Sequence, residues 1–470
     1  MTDEIKLPTL ALAFYRDLYT RHRLDFRTLA RDDPEFAAFC TRPGQIDFHN
    51  PGAVRQLTRS LLRRDFRLSI DLPPDRLCPP VPNRLSYVVW VTELVGTTLG
   101  SETSRQVIGL DIGTGASCIY PLLACTVTPA WRFVATDIDA ESLQSARFNV
   151  ERNRLTERIR IASRTSDDSL VALDKDDSQS FTFTMCNPPF YASADEMTAS
   201  AAAKQQPPHS ACTGAPVEMV YSPSNGDGTG GEVAFVGRIL AESLVLRNRV
   251  CWYTAMLGKL ASLATLVAQL RAHGIDNYAV AALLVPGGKT RRWVLGWSFG
   301  AVRPTVSVAR GGPDAAGLES YRHLLPAVTE VDVYRIANAE NSGGMGVGPA
   351  VDIILRGLEL LLWNWDSNML QGVGRTRENV WGRAWRRKKQ NEARSETVQG
   401  HKTEAPKDSE LFVFELTVRI GVSETVLHCR WLEGHNEAIY QSLCGFIKSK
   451  LKERFAMRVE EKATKALNET

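Results

Sequence analysis

Four residues, Asn187-Pro188-Pro189-Phe190, follow the apolar run 181–186 and have the types needed to hold a planar amine. The two prolines fix the backbone and remove two N–H donors, so that carbonyl acceptors remain. With the Asn187 amide, these acceptors can bind the hydrogens of an NH2 group, while the Phe190 ring can stack on a base. Because the amine lone pair is delocalised, such acceptors help to aim it at an activated methyl group. The motif predicts methyl transfer to a conjugated amine, and an ordinary Asn-Pro turn is the simpler alternative.

A glycine turn lies upstream, in the sequence Asp111-Ile112-Gly113-Thr114-Gly115, between an apolar run and a helical pattern that begins at Ser117. Glycines let the backbone approach a ligand closely, and the start of a helix presents free N–H groups. No Gly-Lys-Ser/Thr follows, which excludes a P-loop, and the spacing differs from the dinucleotide pattern G-x-G-x-x-G. A strand that ends in D-x-G-x-G is typical of methyltransferases that use S-adenosylmethionine (SAM). We therefore expect SAM contacts at Asp111, Gly113, Gly115 and Ser117.

Two acidic residues follow the next apolar run, at Asp137 and Asp139. An acid at the tip of this strand can accept hydrogen bonds from both ribose hydroxyls of a nucleotide. Either residue can instead cap the helix that the pattern predicts from residue 140. Asp139 fits the cap position better, so we assign the ribose to Asp137.

Short β-rich runs alternate with helical ones through this region, which predicts a mostly parallel sheet covered by helices, an α/β fold. A late pair of runs around Pro286-Gly287-Gly288 predicts an antiparallel hairpin. The predicted strands are Val107–Ile112, Arg132–Ile138, Arg158–Ala162, Phe181–Cys186, Val250–Leu257, Tyr278–Val285 and Arg292–Phe299. The predicted helices are Ser117–Cys125, Ala140–Asn153, Val233–Asn248 and Lys259–His273. The segment 191–231 is polar and long, and either closes over the site or is disordered.

The ends of the chain are organised differently. Residues 10–64 read as helical and arginine-rich, and beyond residue 300 the alternation stops. There we expect a small α+β domain with a strand Thr305–Arg310, a helix near Val351–Trp365, β-runs Leu411–Ile420 and Glu424–Trp431, and a last helix. In that helix Ile439, Leu443, Phe446, Ile447 and Leu451 share one face. The predicted domains are 1–80, a basic helical extension, 81–300, and 301–470 with a polar linker at about 390–409.

Basic residues interleave with aromatic ones at three places: Arg84 with Tyr87 and Trp90, Lys289 to Arg292 with Trp293, and residues 375–389. The last run holds seven basic residues against one acid, with Trp381 and Trp385 between them. Such a mixture suits contacts with the RNA backbone and bases. The end of the run, Arg386-Arg387-Lys388-Lys389, is also compatible with a nuclear-import signal or a solvated helix. We favour RNA contact.

Composition sets broad limits on the class of protein. The chain has 470 residues and a net charge of +3, so a wholly basic packaging protein is excluded. The nine cysteines form no C-x-x-C pair, which argues against a zinc finger and for reduced thiols in an intracellular compartment. We find no signal peptide and no apolar run long enough to cross a membrane. No metal and no membrane partner are expected.

Taken together, these blocks resemble the U6 small nuclear RNA N6-adenine methyltransferases, a eukaryotic family related to bacterial enzymes that methylate an adenine of 23S ribosomal RNA. The resemblance covers most of residues 45–300. It includes Asp47-Phe48, Asn50-Pro51, Ala53-Val54-Arg55, Leu61-Leu62-Arg63, Asp65-Phe66, Leu68-Ser69-Ile70-Asp71, Val81-Pro82, Arg84-Leu85, DIGTGASCIYPLL (Asp111–Leu123), MCNPPF (Met185–Phe190), GGE (Gly230–Glu232), WY…MLGK (Trp252–Lys259) and RW…WSF (Arg292–Phe299).

The resemblance implies a Rossmann-like class I SAM-dependent methyltransferase with an N-terminal helical extension and a smaller C-terminal α+β RNA-binding domain. It implies SAM contacts at Arg84, Gly113, Ser117, Asp137 and Asn187, with the target adenine held by Asn187–Phe190. Structured RNA, first of all U6, would be bound by basic residues of the N-terminal extension 1–80 and by Lys289 and Arg292 of the late hairpin. The C-terminal region would add Arg386, Arg387, Lys388 and Lys389. Asp137 stands where the family has glutamate. The expected location is the nucleus, with the cytoplasm as a second compartment, and protein partners are left open.

Three alternatives stay open on the sequence alone. The amine could belong to a protein glutamine or to DNA adenine, the RNA could be ribosomal, or the chain could be a non-catalytic RNA-binding protein that kept a methyltransferase fold. The intact glycine turn and Asn187–Phe190 motif argue against the last alternative, and binding of SAM would discriminate.

Overall fold

The structure is a computed structural model, and it describes residues 9–19, 24–99, 106–173, 179–202, 214–223, 230–284, 291–311, 319–338, 346–395 and 411–468. The chain divides into two compact units. Unit 1 comprises Met1–Gly300 with Ser307–Pro326, and unit 2 comprises Ala301–Val306 with Ala327–Thr470. The helices of residues 10–64 thus fall in the same unit as the central sheet, and the predicted boundary at residue 80 stays a prediction.

The first elements of unit 1 are helical, as the sequence predicts. They are α1 (Thr9–Asp17), α2 (Phe26–Asp32), α3 (Pro34–Ala37), the short strands β1 (Cys40–Arg42) and β2 (Gln45–Ile46), α4 (Pro51–Phe66) and α5 (Val81–Thr98). Side-chain caps fix three of the helix starts, because the carboxylates of Asp25 and Asp33 and the amide oxygen of Asn50 accept from backbone N–H groups of the first turn. Asn50 is followed by Pro51, whose fixed φ suits the first helical position.

A sheet of seven described strands forms the centre of unit 1. The strands are β3 (Ile108–Ile112), β4 (Arg132–Asp137), β5 (Ile159–Ser163), β6 (Phe181–Cys186), β7 (Val250–Leu257), β8 (Tyr278–Leu284) and β9 (Arg291–Trp297). Their order is β5-β4-β3-β6-β7-β9-β8; β3 to β7 run parallel, and β9 is antiparallel to both of its neighbours. The predicted parallel sheet and late hairpin are confirmed.

Helices cover both faces of the sheet. They are α6 (Ile119–Val127), α7 (Ala140–Arg152), α8 (Ala194–Ala202), α9 (Pro216–Met219), α10 (Gly231–Leu246) and α11 (Leu260–Ala272), and a short helical turn, α12 (Val306–Ala309), follows β9. One core contains residues of α5, α6 and α7, and a second contains residues of α10 and α11. The chain continues from β3 to β4 and β5 on one side and then crosses to β6 on the other side of β3, so the strand order reverses beside β3. In such sheets ligands bind at the carboxyl ends of the strands beside this reversal.

Unit 2 is an antiparallel sheet with three helices in its described part. The elements are β10 (Glu330–Ala337), α13 (Val347–Arg356), β11 (Leu362–Asp366), β12 (Gln371–Thr376), α14 (Arg383–Ser395), β13 (Phe412–Ile420), β14 (Glu424–Glu433) and α15 (Glu437–Asn468). The strand order is β10-β14-β13-β12-β11. Along β14 the residues Thr425, Leu427, Cys429 and Trp431 are buried in alternation with partly exposed neighbours, as expected for one covered face. Leu443, Ile447 and Leu451 of α15 belong to the same core, and the α+β prediction is confirmed.

Two elements differ from the prediction. The expected strand Thr305–Arg310 is a single helical turn, α12. Val308 and Ala309 are buried in unit 1, and the Val308 carbonyl accepts from the indole of Trp90, so tertiary packing overrides the β-branched sequence.

The expected helix near Val351–Trp365 is confirmed only as far as Arg356. The helix runs from Val347 to Arg356 and ends at Gly357, whose N–H donates to the Ile353 carbonyl. The remainder forms β11, in which Trp363 and Trp365 lie on one face at a spacing of two and stack on each other.

Candidate active site

The glycine turn lies at the carboxyl end of β3, where the strand order reverses. Gly113 and Gly115 adopt positive φ values of 71° and 62°, which other residues adopt rarely. A side chain at Gly113 would meet no described atom within 4 Å, so the space above the turn is open to a ligand. Ser117 is buried in the same turn, just before α6.

Asp111 is fully buried beneath this turn. One carboxylate oxygen accepts from the Thr114 hydroxyl at 2.7 Å, whereas the other has no hydrogen-bond partner among the residues that the structure describes. Burial raises the pKa of Asp111 to about 7. A buried acceptor without a donor is a position where a polar or cationic ligand group would be favourable.

The two acids at the end of β4 have different partners. Asp139 accepts from Ser142 N at 2.9 Å and caps α7, which confirms the assignment of the cap. Asp137 accepts from Gly115 N at 2.8 Å and from the N–H groups of residues 138 and 139. Burial raises the pKa of Asp137. Its bond to Gly115 places the carboxylate directly against the glycine turn, and its role at the ribose stays a prediction.

The Asn187–Phe190 motif follows β6, which pairs with β3 on one side and β7 on the other. The strand therefore delivers Asn187 to the same sheet edge as the glycine turn. The Asn187 Oδ1 atom is buried, and none of the described groups donates to it. An acceptor of this kind is what the amine-binding prediction requires.

Phe190 lies between Arg292 and the end of β7. The Arg292 guanidinium is 5.7 Å from the ring centroid, and a side chain at Gly258 would come within 3.1 Å of the ring. Glu232 holds the Gly258 segment, because its two carboxylate oxygens accept from Gly258 N at 2.6 Å and Lys259 N at 3.0 Å. The GGE block of the sequence thus has a physical role: it positions the strand end that contacts Phe190.

Arg84 reaches the site from α5 and is buried between α6 and β7. Its guanidinium donates to the Tyr120 hydroxyl at 2.6 Å and to the Met256 sulfur at 3.5 Å. Its Nε atom has no acceptor in the described part of the chain. Burial and the nearby charge of Arg84 lower the pKa of Arg292, which is half-buried. Two cations shielded from solvent on this side of the site favour an anionic ligand group such as a carboxylate.

Sequence reasoning missed several contributors to this site. Tyr120 and Met256 partner Arg84, and Glu218 of α9 places one carboxylate oxygen near Gly115. Tyr120 and Met256 have the sequence pattern of ordinary core residues, and Glu218 lies in a polar segment without periodicity. No local pattern distinguishes them, because each acts through a contact with a distant part of the chain.

The predicted RNA-contacting residues are placed differently. Lys289 lies outside the described residues. Arg292 points to Phe190 rather than away from the site. On α14, Arg386 and Arg387 are exposed, whereas Lys388 and Lys389 form ion pairs with Glu378 and Glu359 and lie over Trp385. In the basic N-terminal extension, Arg63 of α4 forms an ion pair with Glu35.

Comparison with known proteins gives the family. Residues 13–301 match the family described as RNA methyltransferase. The chain belongs to this family. As a member it is an enzyme that uses SAM as its methyl donor, and the predicted Rossmann-like class I fold is confirmed. Among the described residues we find no acidic, histidine and cysteine group that could hold a metal ion, and no described helix is long and apolar enough to cross a membrane.

Individual relatives match over different shares of their length. The U6 small nuclear RNA (adenine-(43)-N(6))-methyltransferase of Schizosaccharomyces pombe is 34% identical over 413 residues, which is 87% of this chain and 96% of that protein. Human RNA N(6)-adenosine-methyltransferase METTL16 is 40% identical over a region that makes up 61% of this chain. The same region spans about half (51%) of the human protein. A crystal structure of the human METTL16 catalytic domain in complex with MAT2A 3′UTR hairpin 1 aligns with a TM-score of 0.53 and 38% identity, and covers 60% of this chain and 94% of that one.

Proposed function

We propose that this RNA methyltransferase forms N6-methyladenosine in structured RNA, with U6 small nuclear RNA as its substrate. The observation that carries the proposal is the buried Asn187 Oδ1 acceptor, which has no partner among the described groups and lies at the sheet edge that also holds the glycine turn. The N6 amine of adenine has the two hydrogens that such an acceptor and a neighbouring backbone carbonyl can bind.

The residues at the glycine turn fit a SAM molecule. When bound, SAM supplies a methyl group on a positively charged sulfonium. The open space at Gly113 would admit the cofactor backbone, Asp137 would accept from its ribose, and Arg84 with its free Nε would attract its carboxylate. Asp111 and Asn187 complete the set of buried acceptors around this space.

On the acceptor side, the chain orients the amine and needs no strong base. Asn187 Oδ1 accepts one amine hydrogen and helps the nitrogen to pyramidalise, which frees its lone pair for attack on the methyl group. Phe190 stacks on the adenine, and Arg292 and Gly258 define the space next to its ring. Transfer would break the bond between the methyl carbon and the SAM sulfur and release S-adenosylhomocysteine, and the surplus amine proton would pass to solvent. An adenine inside a structured RNA must be extruded from its stack to reach this position.

Binding of the rest of the RNA is assigned to basic surface residues. Arg386 and Arg387 on α14 are exposed and have no described ion-pair partner, so they are available for phosphates. Arg292, the half-buried second residue of β9, lies beside Phe190, and Lys289 precedes it by three residues in the sequence, so we assign both to the RNA next to the target adenine. Because U6 is a nuclear RNA, we also propose that the protein works in the nucleus, with the cytoplasm as a second location.

The identity of the substrate is supported by the named relatives. The fission yeast protein, which this chain matches over 96% of its length, is named for adenine 43 of U6. The human catalytic domain was solved in complex with an RNA hairpin. We infer that the target in U6 is the adenine equivalent to position 43.

The test is a transfer assay with radiolabelled SAM. Purified protein is incubated separately with U6 transcript, 23S-type ribosomal RNA and total protein, and labelled RNA is digested to nucleosides. We expect label as N6-methyladenosine in U6, and none in a U6 transcript whose adenine equivalent to position 43 is replaced by guanine. Label in ribosomal RNA alone would contradict the proposed substrate, and label in protein alone would contradict the RNA acceptor site as well.

A further inference from the structure

Glu218 is an acid that lies beside the glycine turn but belongs to neither of the predicted motifs. Its Oε1 atom is 3.6 Å from the position that a Cβ of Gly115 would occupy. Asp137 contacts the same glycine, because its carboxylate accepts from Gly115 N at 2.8 Å. Two carboxylates therefore flank Gly115 at the mouth of the proposed cofactor site.

The two oxygens of Glu218 have different surroundings. Oε2 accepts from Leu77 N at 2.8 Å and Ala215 N at 2.9 Å, which fixes the carboxylate to the chain. Oε1 has no hydrogen-bond donor in the described ranges and faces the glycine turn. Burial raises the pKa of Glu218, and the charge of Asp137 adds to this effect. A held carboxylate with one free oxygen towards an open ligand site is suited to accept from a ligand hydroxyl.

The segment 214–223 also touches the acceptor motif. Tyr191, the residue after Phe190, donates its N–H to the Met219 carbonyl at 3.0 Å, and its carbonyl accepts from Tyr221 N at 2.9 Å. Gly231 N in turn donates to the Tyr221 carbonyl at 2.8 Å. Glu218 is thus one residue away from the backbone that holds Tyr191.

We propose that Glu218 is a further cofactor-positioning residue, whose Oε1 accepts a hydrogen bond from a ribose hydroxyl of SAM while Asp137 accepts from the same ribose. The inference rests on the proposed SAM site and adds a second acid to it. By holding both the ribose and the segment bonded to Tyr191, Glu218 fixes the distance between the cofactor and the acceptor motif.

The variant E218Q separates the two roles of the side chain. A glutamine keeps one oxygen for Leu77 N and Ala215 N, but it turns an NH2 donor instead of an acceptor towards Gly115. We expect E218Q to bind SAM and 5′-methylthioadenosine about tenfold more weakly by calorimetry, because both ligands carry the ribose and the missing bond involves a charged acceptor. The melting temperature of the ligand-free protein should stay unchanged.

A matched control is E196Q in the neighbouring helix α8. Glu196 also accepts from a backbone N–H, that of Ala192 at 2.7 Å, but pairs with Lys259 and not with the glycine turn. We expect its ligand affinities to equal those of the wild type.

Two results would overturn the inference. Wild-type affinity of E218Q for both ligands would leave Glu218 as a structural acid alone. Weaker binding of SAM with unchanged binding of 5′-methylthioadenosine would place the carboxylate at the amino-acid part of SAM instead of the ribose. Because the readout is binding without RNA, these failures are distinct from failure of the proposed U6 substrate, which appears only in transfer.

Discussion

Individual residues mark the candidate site through buried polar atoms that lack a hydrogen-bond partner. Asn187, Asp111 and Arg84 each keep a buried atom that no described group pairs with. Asp111 and Asn187 lie at the carboxyl ends of the paired strands β3 and β6, and the charge of Arg84 acts on Asp111. In a folded protein such atoms are costly unless a ligand or water satisfies them. Their clustering is the physical signature that separates a binding site from an ordinary Asn-Pro turn and a glycine loop.

The raised pKa of Asp111 predicts a pH dependence of SAM binding. Burial raises this pKa to about 7, so the carboxyl is mostly neutral below that value and ionised above it. Because the ionised form attracts the cationic sulfonium, we expect SAM affinity to rise about tenfold between about pH 6 and about pH 8. Calorimetric titrations across this range measure the effect.

The control is D111N, which cannot ionise and should bind SAM with little pH dependence. An equal pH dependence in D111N and wild type would assign the effect to another group.

Local motifs make most of this site predictable from the sequence. Asp111, Asp137 and Asn187 lie at the ends of apolar strands, and the carboxyl ends of parallel strands meet at one sheet edge. Glu218 and Tyr120 are not predictable, because their roles depend on contacts between segments far apart in the chain. Arg292 is predicted as an RNA contact, whereas its stacking on Phe190 follows only from the pairing of β9 with β7.

The four adjacent basic residues Arg386 to Lys389 of α14 differ in their contacts. All four side chains are exposed. Lys388 and Lys389 lie over Trp385 and form ion pairs with Glu378 and Glu359, whereas Arg386 and Arg387 have no ion-pair partner among the described residues. The sequence alone does not reveal this division, since all four residues are basic and adjacent.

This division predicts unequal effects on RNA binding. We expect Arg386→Gln with Arg387→Gln to weaken binding of U6 and to reduce the salt slope of log K by roughly 0.7–0.9 for each phosphate that is no longer neutralised. The matched double variant, Lys388→Gln with Lys389→Gln, should change the slope less, because these lysines are already paired. Filter binding at several salt concentrations measures both. Equal slopes in the Arg386/Arg387 variant and wild type would remove α14 from the RNA interface.

The elements themselves are predictable where a pattern is continuous. Every strand of the parallel sheet is recognisable as a short apolar run bounded by polar residues. The misassigned segment Val351–Trp365 is largely apolar, and only the break at Gly357 and the alternation of Trp363 and Trp365 separate its helix from its strand. For α12, packing of Val308 against Trp90 outweighs the local preference for a strand.

For the stability of the molecule as a whole, unit 2 carries its own pH-sensitive cluster. His428 lies between Glu330 and Asp332, with 3.0 Å between its Nδ1 and the Asp332 carboxylate. These two carboxylates raise the pKa of His428 above 6.5, and His428 in turn lowers the pKa of both acids. The cluster stabilises the fold fully only when the acids are ionised and the histidine is protonated.

The pKa shifts of this cluster determine how the stability of the fold changes with pH. The stabilisation from His428 is complete below its ordinary pKa of 6.5 and is lost as the pH rises through the higher folded value. The stabilisation from Glu330 and Asp332 is lost as the pH falls through their lowered pKa values. We therefore expect the free energy of unfolding to fall between about pH 6 and about pH 8, relative to a His428→Gln variant. Urea unfolding of both proteins measures this, and parallel pH profiles would contradict it.

The proposed chemistry depends above all on Asn187, which should position the acceptor amine rather than the cofactor. Single-turnover methylation of U6 and calorimetric binding of SAM, measured for wild type and Asn187→Ala, separate these two roles. We expect transfer to fall by about a hundredfold or more, while SAM affinity falls by less than about tenfold. Equal losses in transfer and SAM affinity, or transfer close to the wild-type rate, would contradict the role of Asn187 in holding the amine.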